Sequence, residues 1–323
     1  MIIKHADDSS RDIGELNALL ALPYVDKPTK QKIQEEIRKI RSGIKGENDA
    51  AYAIDFYLGD HSKNWAVIHD LRVEYEGRVA QIDHLLINRL MEIYICESKN
   101  FNEGVAVNEY GEFSYYYGGK AYGIPSPIEQ NERHRLLLNK MFDDGEIELP
   151  TRLGMKMKPL FFPLILIGNS AQIHRPESGK KFKHVDKIIK AEQIRNTINK
   201  NINKFRLSDF SRSLQMLPPE TLYDFAENIA AAHIPIKRDW KKRFGIIAPA
   251  PQAAVPKQAQ AAPQAAVQPA VSEAKPKPAS KRPVCADCGE YLTQGVIRFC
   301  ESKSNRIRFH NKLYCMGCQK NHP

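Results

Sequence analysis

The chain has 323 residues, 42% of them apolar and 27% charged, and a formal net charge of +10. That length suits one sizeable domain plus a smaller module. No apolar run approaches the roughly 20 residues a membrane span needs; the longest, Leu160–Ile167, is interrupted by Pro163 and suits a buried strand. The N-terminus lacks a charged segment followed by an apolar stretch, so no signal peptide is expected. Charge is unevenly spread. Residues 1–149 hold 18 Lys and Arg against 26 Asp and Glu, residues 150–247 hold 19 against 8, and residues 248–323 hold 11 against 4. The acidic first part suits a metal centre, and the basic remainder suits a polyanion such as nucleic acid.

Residues 11–43 predict two helices rich in Lys, Glu and Gln, a solvated arm or helical cap, with Pro28 near the start of the second. From Gly46 the pattern tightens: Glu47, Ala51, Ile54 and Leu58 recur at i, i+4, i+7 and i+11, one face of a helix that Gly59-Asp60 ends. Residues 65–71, 79–87 and 91–96 are rich in β-branched and aromatic residues and predict three strands. Gly111 and Gly118-Gly119 punctuate a Tyr-rich hairpin with arms at 113–117 and 120–122. Residues 126–142 predict a helix with Ser126 as N-cap and Pro127 at its first position, and Leu160–Ile167 predicts one more strand. Residues 180–245 are basic and mostly helical in pattern. Residues 248–283, dominated by Ala, Pro, Gln and Val, predict a flexible linker.

Strand alternation gives the acidic groups their meaning. Gln81, Asp83, Leu85 and Ile87 are expected to face one way on the second strand, and Ile93, Ile95, Glu97 and Lys99 on the third. Charges on such apolar faces cost several kcal/mol each unless paired or bound to a metal. Asp83 followed by Glu97-Ser98-Lys99 on the next strand suits a divalent cation and phosphodiester hydrolysis. Two carboxylates hold the ion, and a lysine orients or helps deprotonate the attacking water. An ordinary cross-strand ion pair is the plainer alternative. Glu47, opening its helix's apolar stripe, would add a third carboxylate. Cys96 and His84 alternate to the opposite face and are read as a packed core cysteine and a satisfied structural histidine.

Gly46-Glu47, Gln81-Ile82-Asp83-His84-Leu85-Leu86-Ile87, Glu97-Ser98-Lys99 and Pro127-Ile128-Glu129-Gln130-Asn131 arrive in that order within residues 44–145. Together they resemble the NERD, or nuclease-related, domain, which is similar to the PD-(D/E)xK restriction-endonuclease-like superfamily. The resemblance implies Asp83 and Glu97 as ligands of Mg²⁺ or Mn²⁺, Lys99 as the water-positioning base and Glu47 as an accessory acid. It implies Gln130 as a hydrogen-bond partner of the site or the phosphate; a residue satisfying backbone groups at the helix start is the plainer reading. Gln81-Ile82 precedes the aspartate where the superfamily pattern has a proline, which is no ligand.

Five of the six cysteines fall after residue 284. Cys285-x-x-Cys288 and Cys315-x-x-Cys318 form two knuckles, each able to give two thiolates to one structural Zn²⁺, and Gly289 permits the tight first turn. The spacing favours a metal over disulfides, so a reducing cytoplasm is the expected compartment. Cys300, His310 and His322 are spare candidates, with Cys300, after the strand pattern 296–299, expected to pack. Arg298, Lys303, Arg306, Arg308 and Lys312, interleaved with Phe299, Phe309 and Tyr314, suit either a phosphate backbone with stacked bases or a protein-docking surface. The module resembles the small zinc-ribbon-like tails of some NERD proteins.

The expected fold is an α/β restriction-endonuclease-like domain with a mixed central sheet flanked by helices, plus a small zinc-binding C-terminal module. The expected division is a helical arm at 1–43, the nuclease-like domain at 44–170, a basic helical extension at 171–247, a linker at 248–283 and the zinc module at 284–323. The expected function is metal-dependent cleavage of phosphodiester bonds in DNA processing. The alternative is an inactive nuclease fold serving as a nucleic-acid-binding or protein-docking adaptor. DNA is the favoured partner, a protein partner could use the zinc module, and no membrane is involved.

Overall fold

The computed structural model describes residues 1–59, 62–176, 184–206, 216–247, 283–288, 292, 296–297, 300, 309, 312–315 and 318–321. It divides into two compact units, Met1–Ala253 and Ala254–Pro323.

In the first unit the strands in chain order are β1 (Ile2–Lys4), β2 (Trp65–Tyr75), β3 (Arg78–Asn88), β4 (Glu92–Lys99), β5 (Gly104–Val107), β6 (Phe113–Tyr117), β7 (Lys120–Ile124), β8 (Thr151–Arg152), β9 (Met155–Lys156), β10 (Leu160–Ile167), β11 (Gln172–His174) and β12 (Ile188–Lys190). The helices are α1 (Ser10–Ala21), α2 (Lys27–Ile54), α3 (Pro127–Asp144), α4 (Ile194–Arg206), α5 (Pro219–Ala231) and the single turn α6 (Trp240–Arg243). The central sheet has the order β1-β2-β3-β4-β10-β12. It is mixed: β2, β3 and β4 are antiparallel neighbours, whereas β1 joins β2, and β10 and β12 follow β4, in parallel. The expected mixed sheet flanked by helices is the observed one.

Local chemistry fixes the element ends. Asp26 caps α2 by accepting the Thr29 N–H at 2.8 Å, with Pro28 in the first turn. The Ser126 hydroxyl accepts the Glu129 N–H at the start of α3, and Gly145 (φ +82°) ends that helix in the left-handed region. Glu76 and Gly77, both at positive φ, close the two-residue turn between β2 and β3.

Two apolar layers sandwich the sheet. On one face Leu85, Ile87, Ile93 and Ile95 pack against Leu138 and Phe142 of α3 and Leu222 and Phe225 of α5. On the other, Val67, Leu86 and Cys96 pack against Ala50 and Ile54 of α2 and Ile194 and Ile198 of α4. A second sheet, β11-β5-β6-β7, draws three of its strands from the chain between β4 and α3. Its Val105, Val107 and Phe113 cover Ile165 and Ile167 of β10.

Two sequence expectations change here, and a third falls outside the described residues. The helix containing Glu47 does not begin near Gly46: α2 runs unbroken from Lys27 to Ile54 and widens into a π-helical turn, Asp55–Gly59. Its buried stripe is Ala50, Ile54 and Leu58, whereas Ala51 is only half-buried. The alternation of β3 also breaks. Ala80 and Ile82 share one apolar layer with Leu85 and Ile87, so the strand changes parity at Asp83-His84. Residues 248–282, which carry almost all of the expected linker, lie outside the described residues.

Candidate active site and cysteine cluster

The pairing of β3 with β4 ends at His84 opposite Cys96. Asp83 and Glu97 occupy the next opposed positions, where a side chain replaces the backbone ladder. The Ser98 N–H donates to Asp83 Oδ2 at 2.7 Å. Glu97 and Lys99 then sit beside Ile165 and Ile167 of β10. Lys99 Nζ donates to Glu97 Oε1 at 2.6 Å, and Gln130 Nε2 donates to the same oxygen at 2.8 Å. Lys99 Nζ also lies 3.4 Å from Gln130 Oε1. Gln130 is held there by its neighbour Asn131, whose amide donates to the carbonyls of Ile95 and Leu164 at 2.9 and 3.0 Å and pins α3 to both strands.

Glu47 comes from the helix on the other side. α2 reaches the end of β4 because residue 46 is glycine: a Cβ there would lie 2.6 Å from Asn100 Cβ. Asn100 Nδ2 completes the clamp by donating to the Ser42 carbonyl at 3.0 Å.

The site carries an excess of carboxyl groups. Burial, then the charges of Glu97 and Glu47, hold Asp83 well above the usual carboxylate range. Burial raises Glu97, although Lys99 and Gln130 oppose it. Burial, then Asp70 and Glu97, raise Glu47. The second oxygen of Glu97, Oε2, is buried without a hydrogen-bond partner. Three carboxyls against one ammonium, with one orphaned oxygen, form a donor set that fits a hard divalent cation. The structure thus brings together Glu47, Asp83, Glu97, Lys99 and Gln130.

Asp70 is a further acidic residue that sequence patterning missed. It lies between the His69–His84 and Leu71–Ile82 pairs of the β2–β3 register, opposite Asp83, and adopts φ +51°, rare for a non-glycine residue. Gln81 Nε2 donates to Asp70 Oδ1 at 2.9 Å. A cleft of about 330 Å³, lined in part by Glu47, Asp70, Gln81, Arg72 and Arg238, opens beside them. The sequence signals Asp70 only as an acid inside a β-branched strand.

Cys96 is fully buried in the α2-side layer. His84, also buried, has Nδ1 2.7 Å from His69 Nδ1 and Nε2 2.9 Å from Ser98 Oγ. His69 Nε2 lies 2.9 Å from Asp55 Oδ1. Burial holds both rings below the ordinary histidine range, despite Asp55 beside His69.

In the second unit the Sγ atoms of Cys285, Cys288, Cys315 and Cys318 lie within 4.8 Å of one another. Four thiols at that spacing could hold a tetrahedral zinc ion. The Cys315 N–H donates to Cys285 Sγ at 3.3 Å, and hydrogen bonds from the Cys288 and Cys315 backbone pull the Cys285 thiol down to about 6. Cys300 stands outside the cluster, buried with Phe309 and Tyr314, and donates to the Tyr314 carbonyl at 3.3 Å. Val296 and Ile297 are helical, not extended. Gly289, Arg298, Phe299, Lys303, Arg306, Arg308, His310 and His322 lie outside the described residues. Among the described residues no helix is long and apolar enough to cross a membrane.

Comparison with curated proteins and with solved structures gives no match. Residues 42–165 match the family model of the nuclease-related domain, NERD. That span holds Glu47, Asp83, Glu97, Lys99 and Gln130, and so the chain carries a nuclease-related domain whose strands and helix meet at this carboxylate cluster.

Proposed function

We propose that the first unit hydrolyses phosphodiester bonds of nucleic acid, DNA in preference, with Mg²⁺ or Mn²⁺ held by Asp83 and Glu97. The observation that carries this reading is the buried, partnerless Oε2 of Glu97 within a cluster of raised carboxyls that holds one lysine. When bound, the cation stabilises charge developing on the phosphate and lowers the pKa of the attacking water. Lys99 uses two of its three N–H donors on Glu97 and Gln130 and keeps the third for that water. Gln130 holds Glu97 Oε1, so that Oε2 stays free for the ion. Glu47 is an accessory acid at the same centre.

Plasmid nicking with Mg²⁺ or Mn²⁺, beside a binding titration across salt, tests the proposal. Asp83→Asn and Glu97→Gln are each expected to abolish cleavage while leaving the fold intact, and Lys99→Ala to stop cleavage yet retain Mn²⁺ binding. Full metal-dependent activity in either carboxylate variant would remove the assignment. Salt-sensitive binding by the wild type without any cutting would favour the adaptor reading.

We infer also that Cys285, Cys288, Cys315 and Cys318 bind one Zn²⁺. Elemental analysis should find one zinc per chain, lost in Cys285→Ser/Cys318→Ser and retained in Cys300→Ser. Zinc content unmoved by the double substitution would refute it.

A further inference from the structure

Asp55, His69 and His84 reach the candidate site from the α2 side of the sheet and take no part in the chemistry proposed above. Their hydrogen bonds have one consistent direction. The Asp55 carboxylate accepts, so His69 carries its proton on Nε2. The Nδ1 of that neutral ring is then an acceptor, and the His84 Nδ1 facing it at 2.7 Å must donate. This leaves His84 Nε2 as an acceptor for the Ser98 hydroxyl, which donates at 2.9 Å. The Ser98 N–H in turn donates to Asp83.

The position of Ser98 explains why such a chain is useful. Beyond His84–Cys96 the β3–β4 ladder has ended, so the Glu97-Ser98-Lys99 segment is no longer held in register by the β3 backbone. Two side chains of β3 replace it: Asp83 takes the Ser98 N–H and His84 takes the hydroxyl. The ring of His84 can do so in only one tautomer, and His69 with Asp55 sets that tautomer. The side chains of His69 and Asp55 are 3% and 25% exposed, so water competes little for the ring.

We propose that Asp55, His69 and His84 form a directional hydrogen-bond relay that fixes Ser98, and through its N–H the Asp83 carboxylate, making all three positioning residues for the candidate cation site. The geometry stands by itself; the consequence for metal affinity rests on the nuclease reading.

Three measurements on the full-length, zinc-loaded protein test the relay. Imidazole nitrogen NMR of the wild type without Mg²⁺ or Mn²⁺ is expected to show His69 protonated on Nε2 and His84 on Nδ1. Calorimetric Mn²⁺ titration is expected to show binding weakened about 10-fold to 100-fold, the usual range for groups that orient a ligand, in Ser98→Ala and in Asp55→Ala. Asp55→Ala/Ser98→Ala should be no weaker than the worse single variant, because one relay is cut twice. Ser98→Thr, which keeps the hydroxyl, should restore most of the affinity, and thermal melts confirm that each variant folds. The opposite tautomer on either ring, strictly additive losses, or unchanged Mn²⁺ affinity in Asp55→Ala would each overturn the relay. If the wild type neither binds Mn²⁺ nor cuts, the nuclease reading fails, and the tautomers alone decide whether the relay exists.

Discussion

His134 shows how a single residue can make the site's neighbourhood sensitive to acid. It lies one helical turn beyond Gln130 on α3, is buried, and its Nδ1 has no hydrogen-bond partner. Burial, then the charges of Arg133 and Lys99, press its pKa from 6.5 down to about 4. The unfolded chain therefore takes up this proton near pH 6.5, and the folded chain not until about pH 4. Stability from this residue is full above pH 6.5 and is lost as pH falls through that window, by an amount on the order of 2–4 kcal/mol. His134→Leu should flatten the acid limb of stability measured by urea unfolding at about pH 7, 5.5 and 4, values that bracket the histidine range. Parallel acid limbs in the two proteins would show that His134 does not titrate as described. At this scale the sequence reveals what spacing reveals. Asp83, Glu97 and Lys99 are legible as candidates because each stands at a fixed place on a strand, whereas Gln130 enters only through the resemblance to the NERD domain. Asp70 is not, because its distinguishing feature is a backbone dihedral, and neither is the His69–His84 pair, which depends on strand register.

The element that decides whether the site assembles is α2. Two glycines on it, Gly43 and Gly46, stand on neighbouring turns and have opposite consequences. At Gly43 the nearest neighbour of an added Cβ would be Glu47 Oε1 at 3.7 Å, an ordinary distance. At Gly46 it would be 2.6 Å from Asn100 Cβ. Gly43→Ala should thus stabilise the protein by up to about 1 kcal/mol through helix propensity. Gly46→Ala should destabilise it by about 1–3 kcal/mol, as overpacking does, and lower cleavage by displacing Glu47 from Asp83 and Glu97. Equal melting temperatures for the two variants would rule out the close approach. The same glycines hide the helix from its sequence. Helix interiors disfavour glycine, so a boundary near Gly46 is the natural expectation, but close packing of the helix on β4 outweighs that local penalty. Strand β10 is legible to its ends because every position from Leu160 to Ile167 except Pro163 is a large apolar residue. β3 is legible as a strand but not in its facing, since its parity change at Asp83-His84 leaves no mark in composition.

At the scale of the whole molecule, charge and chemistry are segregated along the chain. Residues 1–149, which hold every proposed catalytic residue, carry 18 Lys and Arg against 26 Asp and Glu, while residues 150–247 carry 19 against 8 and residues 248–323 carry 11 against 4. A polyanionic substrate should gain little attraction from the acidic part, so the basic part is expected to supply much of the phosphate binding. Deleting residues 248–323 removes the second unit and leaves the first unit's central sheet and helices untouched. The truncated protein should bind DNA more weakly, with a log–log salt slope reduced by about 0.9 for each phosphate that is no longer neutralised. It should still cleave when its concentration is raised, because every residue proposed for catalysis precedes residue 131. Binding measured by fluorescence anisotropy across salt, paired with the nicking assay, separates these two effects. If the truncated protein keeps both the affinity and the slope, the C-terminal unit touches no phosphates, and its basic residues serve a protein partner instead.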